Sequence, residues 1–215
     1  MEKFDQILMK VSELFRKYGI KSITMDDVSR ELGISKKTLY QYVCDKTELI
    51  NKLMDFEIEG VSICFDGILT KKYNAIEELF EVNRFMVGLL KRFSPSFDYD
   101  LKKYYPDIYN RVILIRRNKI YNATLANLKK GKLEGLYREE LNEEILTKLH
   151  VSRIETMQNN SSFTVDEINS GQVFKEMFIY HIRGIANGKG IKVLEQNIHK
   201  LDYTDKEIFE RKDEM

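Results

Sequence analysis

The chain has 215 residues, 43% hydrophobic and 32% charged, and its 35 Lys and Arg nearly balance 34 Asp and Glu, for a formal net charge of +1. At ~150 residues per domain, that is room for one large or two small domains with real cores. The composition excludes a disordered chain and a polybasic coat, so any nucleic-acid contact must come from a local patch. Two cysteines, Cys44 and Cys64, are too few for a disulfide scaffold or a thiolate zinc site, and a reducing cytoplasm is the expected setting. Glu2, Asp5 and Glu13 interrupt the N-terminal apolar residues, so no signal peptide is expected. Apolar runs such as Phe85 to Leu90 fall far short of the ~20 residues of a membrane helix.

Proline occurs only at Pro95 and Pro106, and apolar residues recur at three and four rather than two, so the chain reads as all-α. A first helix is expected from Lys3 to Tyr18, with Phe4, Ile7, Leu8, Val11, Leu14 and Phe15 on one stripe and Gly19 as its left-handed stop. Thr24 and Asp27 form a capping box for a short second helix, Met25 to Leu32. Gly33-Ile34 makes a turn, and Ser35 caps a third helix from Lys36 to about Val43. A box at Asp45 to Glu48 opens a longer fourth helix. Longer stripes follow: Ala75 to Phe93, a break at Ser94-Pro95, then Pro106 to about Lys130, ended by Gly131 and Gly135. A helix from Asn142 to Met157 sets Glu143 and Glu144 against its N-terminal dipole. A polar loop at Gln158 to Ser162 and a cap at Thr164 to Glu167 lead to the clearest stripe, Val173 to Ile185. A short helix over Ile191 to Lys200 precedes a charged tail. The expected organisation is a three-helix head (1–50), a larger helical body (51–200) and the tail (201–215).

Two short helices joined by a glycine turn and braced by a preceding helix make a helix-turn-helix. Val28, Leu32, Ile34 and Leu39 face inward, and small Ser29 admits the third helix. That leaves Ser35, Lys36, Lys37, Thr38, Tyr40, Gln41 and Tyr42 on or near the outer side. They are donors and aromatics with no acid among them, a set suited to the base edges and phosphates of a DNA major groove. On the turn alone, an all-α interaction or scaffold protein whose head only packs stays open.

The run Thr24-Met25-Asp26-Asp27-Val28-Ser29-Arg30-Glu31-Leu32-Gly33-Ile34-Ser35-Lys36-Lys37-Thr38-Leu39-Tyr40-Gln41-Tyr42, continued by Lys46, Glu48 and Leu49, resembles the head of TetR/AcrR-type transcriptional regulators. The resemblance covers about the first 50 residues. It implies an N-terminal helix-turn-helix domain followed by a helical ligand-binding and dimerisation domain. Carried over, it sets Lys36, Lys37, Thr38 and Gln41 at base edges or nearby phosphates, and Thr24, Tyr40, Tyr42 and Lys46 on the DNA backbone. Lys37 stands where the family often has glycine, and Val43 where it usually has phenylalanine. Both departures weaken transfer of an operator sequence, not of DNA binding. The implied function is a sequence-specific repressor, released from its operator by a small molecule.

One head makes too few contacts for tight specific binding, and a homodimer reading a palindrome with half-sites ~34 Å apart, or a multiple, supplies the rest. The candidate seam holds Phe174, Met177, Phe178, His181 and Ile185, with Ile145 and Leu149 of the 142–157 helix beside them. Ordinary core is the competing reading. The resemblance implies a four-helix interface there. Phe65, Phe85, Met86, Tyr105, Tyr109 and Tyr121 are candidates to line a site for an apolar or aromatic effector, with plain packing as the alternative. His150, His181 and His199 are scattered and make no metal site. Adjacent acids such as Glu77-Glu78 point ~100° apart on a helix, unlike an acid/base dyad. No enzyme activity, cofactor or membrane association is expected.

Overall fold

The computed structural model describes residues 3–92, 94–158 and 172–201. Their regular structure is helical: α1 (Lys3–Tyr18), α2 (Met25–Glu31), α3 (Lys36–Leu39), α4 (Lys46–Leu69), α5 (Ala75–Lys91), α6 (Pro95–Tyr104), α7 (Pro106–Leu133), α8 (Glu143–Gln158), α9 (Gln172–Ile185) and α10 (Gly188–Asn197), then a 3-10 turn at Ile198–Leu201. Among the described residues no helix is long and apolar enough to cross a membrane. Of the loop expected at Gln158 to Ser162, Gln158 is instead the last residue of α8, and 159–162, the cap at 164–167 and the tail from 202 lie outside the described residues. Contacts divide the chain into two compact units, residues 1–63 with 93–116 and residues 64–92 with 117–215.

In the first unit, α1 lays Ile7, Leu8, Val11, Leu14 and Phe15 into a core shared with Ile20, Val28, Leu39, Val43, Leu49, Ile50 and Leu53. Burying side chains of this size stabilises by about 1.5–3 kcal/mol each. Gly19 ends α1 at φ 82, a left-handed torsion that glycine adopts without a Cβ penalty. Helix α6 corrects the sequence expectation of a plain break after Ser94. Pro95 takes the first turn, where its missing N–H has no helical partner to lose. Phe97 and Leu101, four residues apart, are buried in the same core. Ser94 Oγ donates to Arg16 O at 2.8 Å, and the Arg16 guanidinium lies 5.1 Å from the Phe97 ring centroid, which joins α6 to α1.

The second unit packs Ile76, Phe80, Leu128, Tyr137, Phe178, Ile182, Ile185 and Leu194 together. A polar network runs through that core. The Tyr137 hydroxyl donates to Asn127 Oδ1 (2.8 Å), and Asn127 Nδ2 donates to Ala75 O (2.9 Å) and Glu78 Oε1 (2.8 Å). Lys130 Nζ donates to Glu78 Oε2 (2.6 Å). Buried polar groups need such partners, since leaving one unmade costs about 1–3 kcal/mol. Gly131 lies within α7 and does not end it. A Cβ there would stand 2.1 Å from Tyr137 Cδ2, so its missing side chain admits the tyrosine ring. The left-handed stop is Gly135, φ 65. Helix α10 starts three residues earlier than expected, because Asn187 Oδ1 accepts from the Lys189 (2.9 Å) and Gly190 (3.1 Å) amides. That cap outweighs the weak helix propensity of two glycines.

Candidate nucleic-acid interface

The expected capping box closes. The Asp27 amide donates to Thr24 Oγ1 (3.2 Å), and the Asp27 carboxylate accepts from the Thr24 amide (3.0 Å) and hydroxyl (2.6 Å). The Thr24 hydroxyl and amide hold the Asp27 carboxyl below its usual range. The single hydroxyl proton of Thr24 is thereby engaged within the cap. Gly33 turns the chain at φ 66 with open space around it, so the torsion, not crowding, requires glycine. The Ile34 amide closes the turn on Ser29 O at 3.0 Å. Ser29 is buried, as a close approach of α3 to α2 needs, and its hydroxyl donates to Asp26 O at 2.9 Å.

Ser35 Oγ accepts from the Thr38 amide at 3.0 Å and starts α3. The α-helical span stops at Leu39, short of Val43, because the Gln41 and Tyr42 amides bond three residues back, to Thr38 O (3.2 Å) and Leu39 O (3.0 Å). Tightening of this kind is frequent at helix ends. Leu39 and Val43 are buried beneath. Ser35, Lys36, Lys37, Tyr40 and Gln41 are exposed together, with Thr38 half-buried beside them. Lys36 pairs with Asp26 across the turn. Tyr42 is placed differently. Its ring stacks on Phe4, 4.8 Å between centroids and 9° between planes, and packs against the core of the unit.

Lys46 is also turned inward. Its ammonium donates to Ile20 O (2.6 Å) and to Ile23 O and stands 5.8 Å from the Phe15 ring centroid. Burial lowers its pKa, against Asp100 and Asp27, which raise it. This geometry makes Lys46 a brace for the turn between α1 and α2. Lys46→Met strands two carbonyls and is expected to cost about 1–3 kcal/mol in urea unfolding, with the salt slope of DNA binding retained. Unchanged stability and a slope reduced by about one unit would instead put the ammonium on a phosphate.

Lys52 was not legible as a site residue in the sequence, since its partner is a backbone atom ten residues away. Lys52 Nζ donates to Tyr42 O (2.7 Å) and pairs with Glu48 Oε1 (3.0 Å). The Glu48 amide takes Asp45 Oδ1 (2.8 Å), as a box requires, but its carboxylate accepts from the Cys44 amide (2.6 Å), one residue before the expected position. Hydrogen bonds from Cys44, then from Lys52, pull the Glu48 carboxyl down from 4.5 to about 2. A depressed carboxyl contributes stability that is present above its unfolded value and lost as pH falls through the folded one. Glu48→Gln should therefore flatten the acid limb of a stability–pH profile between about pH 4.5 and 2. Parallel acid limbs in variant and wild type would remove Glu48 from that account.

The candidate effector residues fall in different units. Tyr105 and Tyr109 pack against the core of the first. Phe65, Phe85, Met86 and Tyr121 belong to the second, where the Phe65 and Phe85 centroids are 6.3 Å apart. Two candidate seam residues, Phe178 and Ile185, are 8% and 2% exposed and packed in the core of their own chain. Little apolar area is left on them for a partner to cover. Ile145 and Leu149 are 56% and 61% exposed, and Phe174 and Met177 are half-buried. The histidines prove less scattered than the sequence implies. His150 and His181 have ring centroids 4.5 Å apart, and Arg153 reaches His150 Nδ1 at 3.0 Å. Burial pulls both imidazoles down, His150 to about 4. No group of three or more His, Cys, Asp or Glu able to hold a metal ion forms among the described residues.

Residues 7–53, the segment just described, match the family model for bacterial regulatory proteins, tetR family. Over 182 residues the chain is 22% identical to an uncharacterized HTH-type transcriptional regulator, YvaF, of Bacillus subtilis (strain 168), covering 84% of this chain and 94% of that one. Its fold is similar to a transcriptional regulator from Cytophaga hutchinsonii ATCC 33406 (TM-score 0.70, 14% identity, 86% of this chain and 99% of that one). A gamma-butyrolactone receptor, an ArpA-like protein, is similar too (TM-score 0.62, 12% identity, 91% and 93%). With a capped glycine turn, an exposed basic and polar α3 and this family match in one segment, residues 7–53 form a tetR-type helix-turn-helix head, the DNA-binding element of a transcriptional regulator.

Proposed function

We propose that the protein is a homodimeric repressor that binds a palindromic operator and leaves it when a small apolar or aromatic molecule binds its body. The observation that carries the reading is the exposed group Lys36, Lys37, Tyr40 and Gln41 on a turn whose inner side, Val28 and Leu39, is fully buried. Residues 1–50 would read DNA, 51–200 would dimerise and take the effector, and 201–215 would be a tail. Lys37 and Gln41 are assigned to bases or nearby phosphates, and Tyr40 to the backbone. Ile145 and Leu149 supply exposed apolar area for a second copy, flanked by Phe174, Met177 and His181. Phe65, Phe85, Met86 and Tyr121 would line the effector site. The gamma-butyrolactone receptor it resembles is, by name, a receptor for a small molecule. The protein would act in the cytoplasm, and no catalytic step is assigned to it.

Helix α4 offers a route for release. It runs unbroken from Lys46 to Leu69 and carries Phe65 near its far end. A tilt of α4 would change the distance between the two heads of a dimer, and rigid half-site spacing would then cost both sets of contacts. An effector can drive this only through unequal affinity for the two states. Selection from random duplex DNA near physiological salt tests the reading. A palindrome with half-sites one helical turn or a multiple apart is the expected product. No enrichment, with no salt-sensitive binding even at low salt, would favour an interaction protein instead.

A further inference from the structure

We propose that α6 and the turn between α1 and α2 carry a second DNA surface, which binds the phosphate backbone beyond the bases reached from α3. The proposal rests on the DNA-binding reading and concerns residues that it leaves unassigned. Lys21 Nζ lies 4.9 Å and Lys103 Nζ 5.4 Å from the Tyr104 ring centroid. Lys103 stands 5.1 Å from the Tyr99 centroid and donates to its hydroxyl at 2.8 Å. Tyr99 and Tyr104 are exposed, as are Lys21 and Lys103. Two ammonium groups are thus held on one surface by tyrosine rings. A lysine over a ring keeps N–H donors for another acceptor.

Two acids lie on the same helix. The Asp100 carboxylate accepts from the Lys21 amide at 2.8 Å and so sets one negative charge beside the two ammonium groups, and the half-buried Asp98 interacts with Lys102 and Arg116. The local field shows in the Tyr104 hydroxyl, which Lys21 and Lys103 shift below its usual pKa. In a chain of net charge +1, such a cluster is a local feature and not a by-product of basic composition.

Continuity points to DNA as the occupant. Lys21 lies within the matched segment 7–53, four residues before α2 of the helix-turn-helix. The α1–α2 turn is fixed in place by Lys46.

The test uses the full chain with Lys21→Ala and Lys103→Ala together, on the operator recovered by selection. Binding is titrated between about 50 and 200 mM salt, on a duplex with flanks and on one trimmed to the palindrome. With flanks, the salt slope should become shallower by about 1.8 units per head, with base preference unchanged. On the trimmed duplex, variant and wild type should converge. Lys21→Arg with Lys103→Arg should keep the wild-type slope, and thermal unfolding by circular dichroism should show all variants folded. A wild-type slope in the alanine variant, or an equal loss on both duplexes, overturns the proposal. So does loss of binding to anionic lipid vesicles with the DNA slope intact, which would assign the lysines to a membrane. A wild-type protein that binds no DNA at any salt would defeat the functional reading itself.

Discussion

Gln41→Ala should relax base preference while leaving most of the affinity in place. An amide side chain can offer paired donor and acceptor to a base edge, and a good pair of that kind discriminates by about 1–3 kcal/mol, about 5- to 150-fold. Gln41 is exposed at the end of the turn that follows α3, with its backbone fixed by the bond from its amide to Thr38 O. Binding of the variant to the selected operator and to single-base changes of it measures the effect. Loss should concentrate at one position in each half-site. A uniform loss across all sequences, with a shallower salt slope, would make Gln41 a positioning residue. Lys37→Ala is the internal comparison. A lysine on a phosphate should weaken binding to all sequences alike and reduce the slope by about one unit.

Gly190→Ala should be among the most damaging single changes to stability. The added methyl would stand 2.3 Å from Leu136 O, 3.0 Å from Ala186 Cβ and 3.1 Å from Ile76 Cδ1. Leu136 O is not free to swing aside, since it accepts from the Asn187 amide at 2.9 Å. Asn187 in turn caps α10 and donates to Gly135 O (2.9 Å). Overpacking against fixed backbone costs about 3 kcal/mol at the upper end of its usual range, a large share of a typical stability of about 5–15 kcal/mol. Urea unfolding reads it directly. Gly188→Ala is the control: a Cβ there meets nothing within 4 Å, so it should be neutral or mildly stabilising through better helix propensity. Equal midpoints for the two variants would show that the chain relaxes around residue 190.

Much of the head was legible because its determinants are local. The α1 stripe, the left-handed stop at Gly19, the Thr24–Asp27 box, the Gly33 turn and the Ser35 cap each depend on residues within a turn or two. Ser94-Pro95 carries the signature of a break, yet a proline is tolerated in a first turn and Phe97 and Leu101 carry the helical spacing of α6. Gly131 has the signature of a stop, a glycine near a helix end. Its place inside α7 follows from Tyr137, whose approach only the fold reveals.

The same division separates what the residue order determined from what only the tertiary structure decided. Helical period, caps and turns are short-range properties. So is the helix-turn-helix with its outward set at Lys37, Tyr40 and Gln41. Which face of an apolar stripe becomes core is long-range. Phe178 and Ile185 look the same in sequence as Ile145 and Leu149, yet the first pair is covered by its own chain and the second is exposed. The destination of a flexible cation is equally long-range. Lys46 has a reach that suits a phosphate or a carbonyl, and in the fold Ile20 O and Ile23 O are close enough to capture it. His150 meets His181, and Lys21 and Lys103 meet at Tyr104, for the same reason. Spacing along the chain does not specify which distant side chains packing brings together.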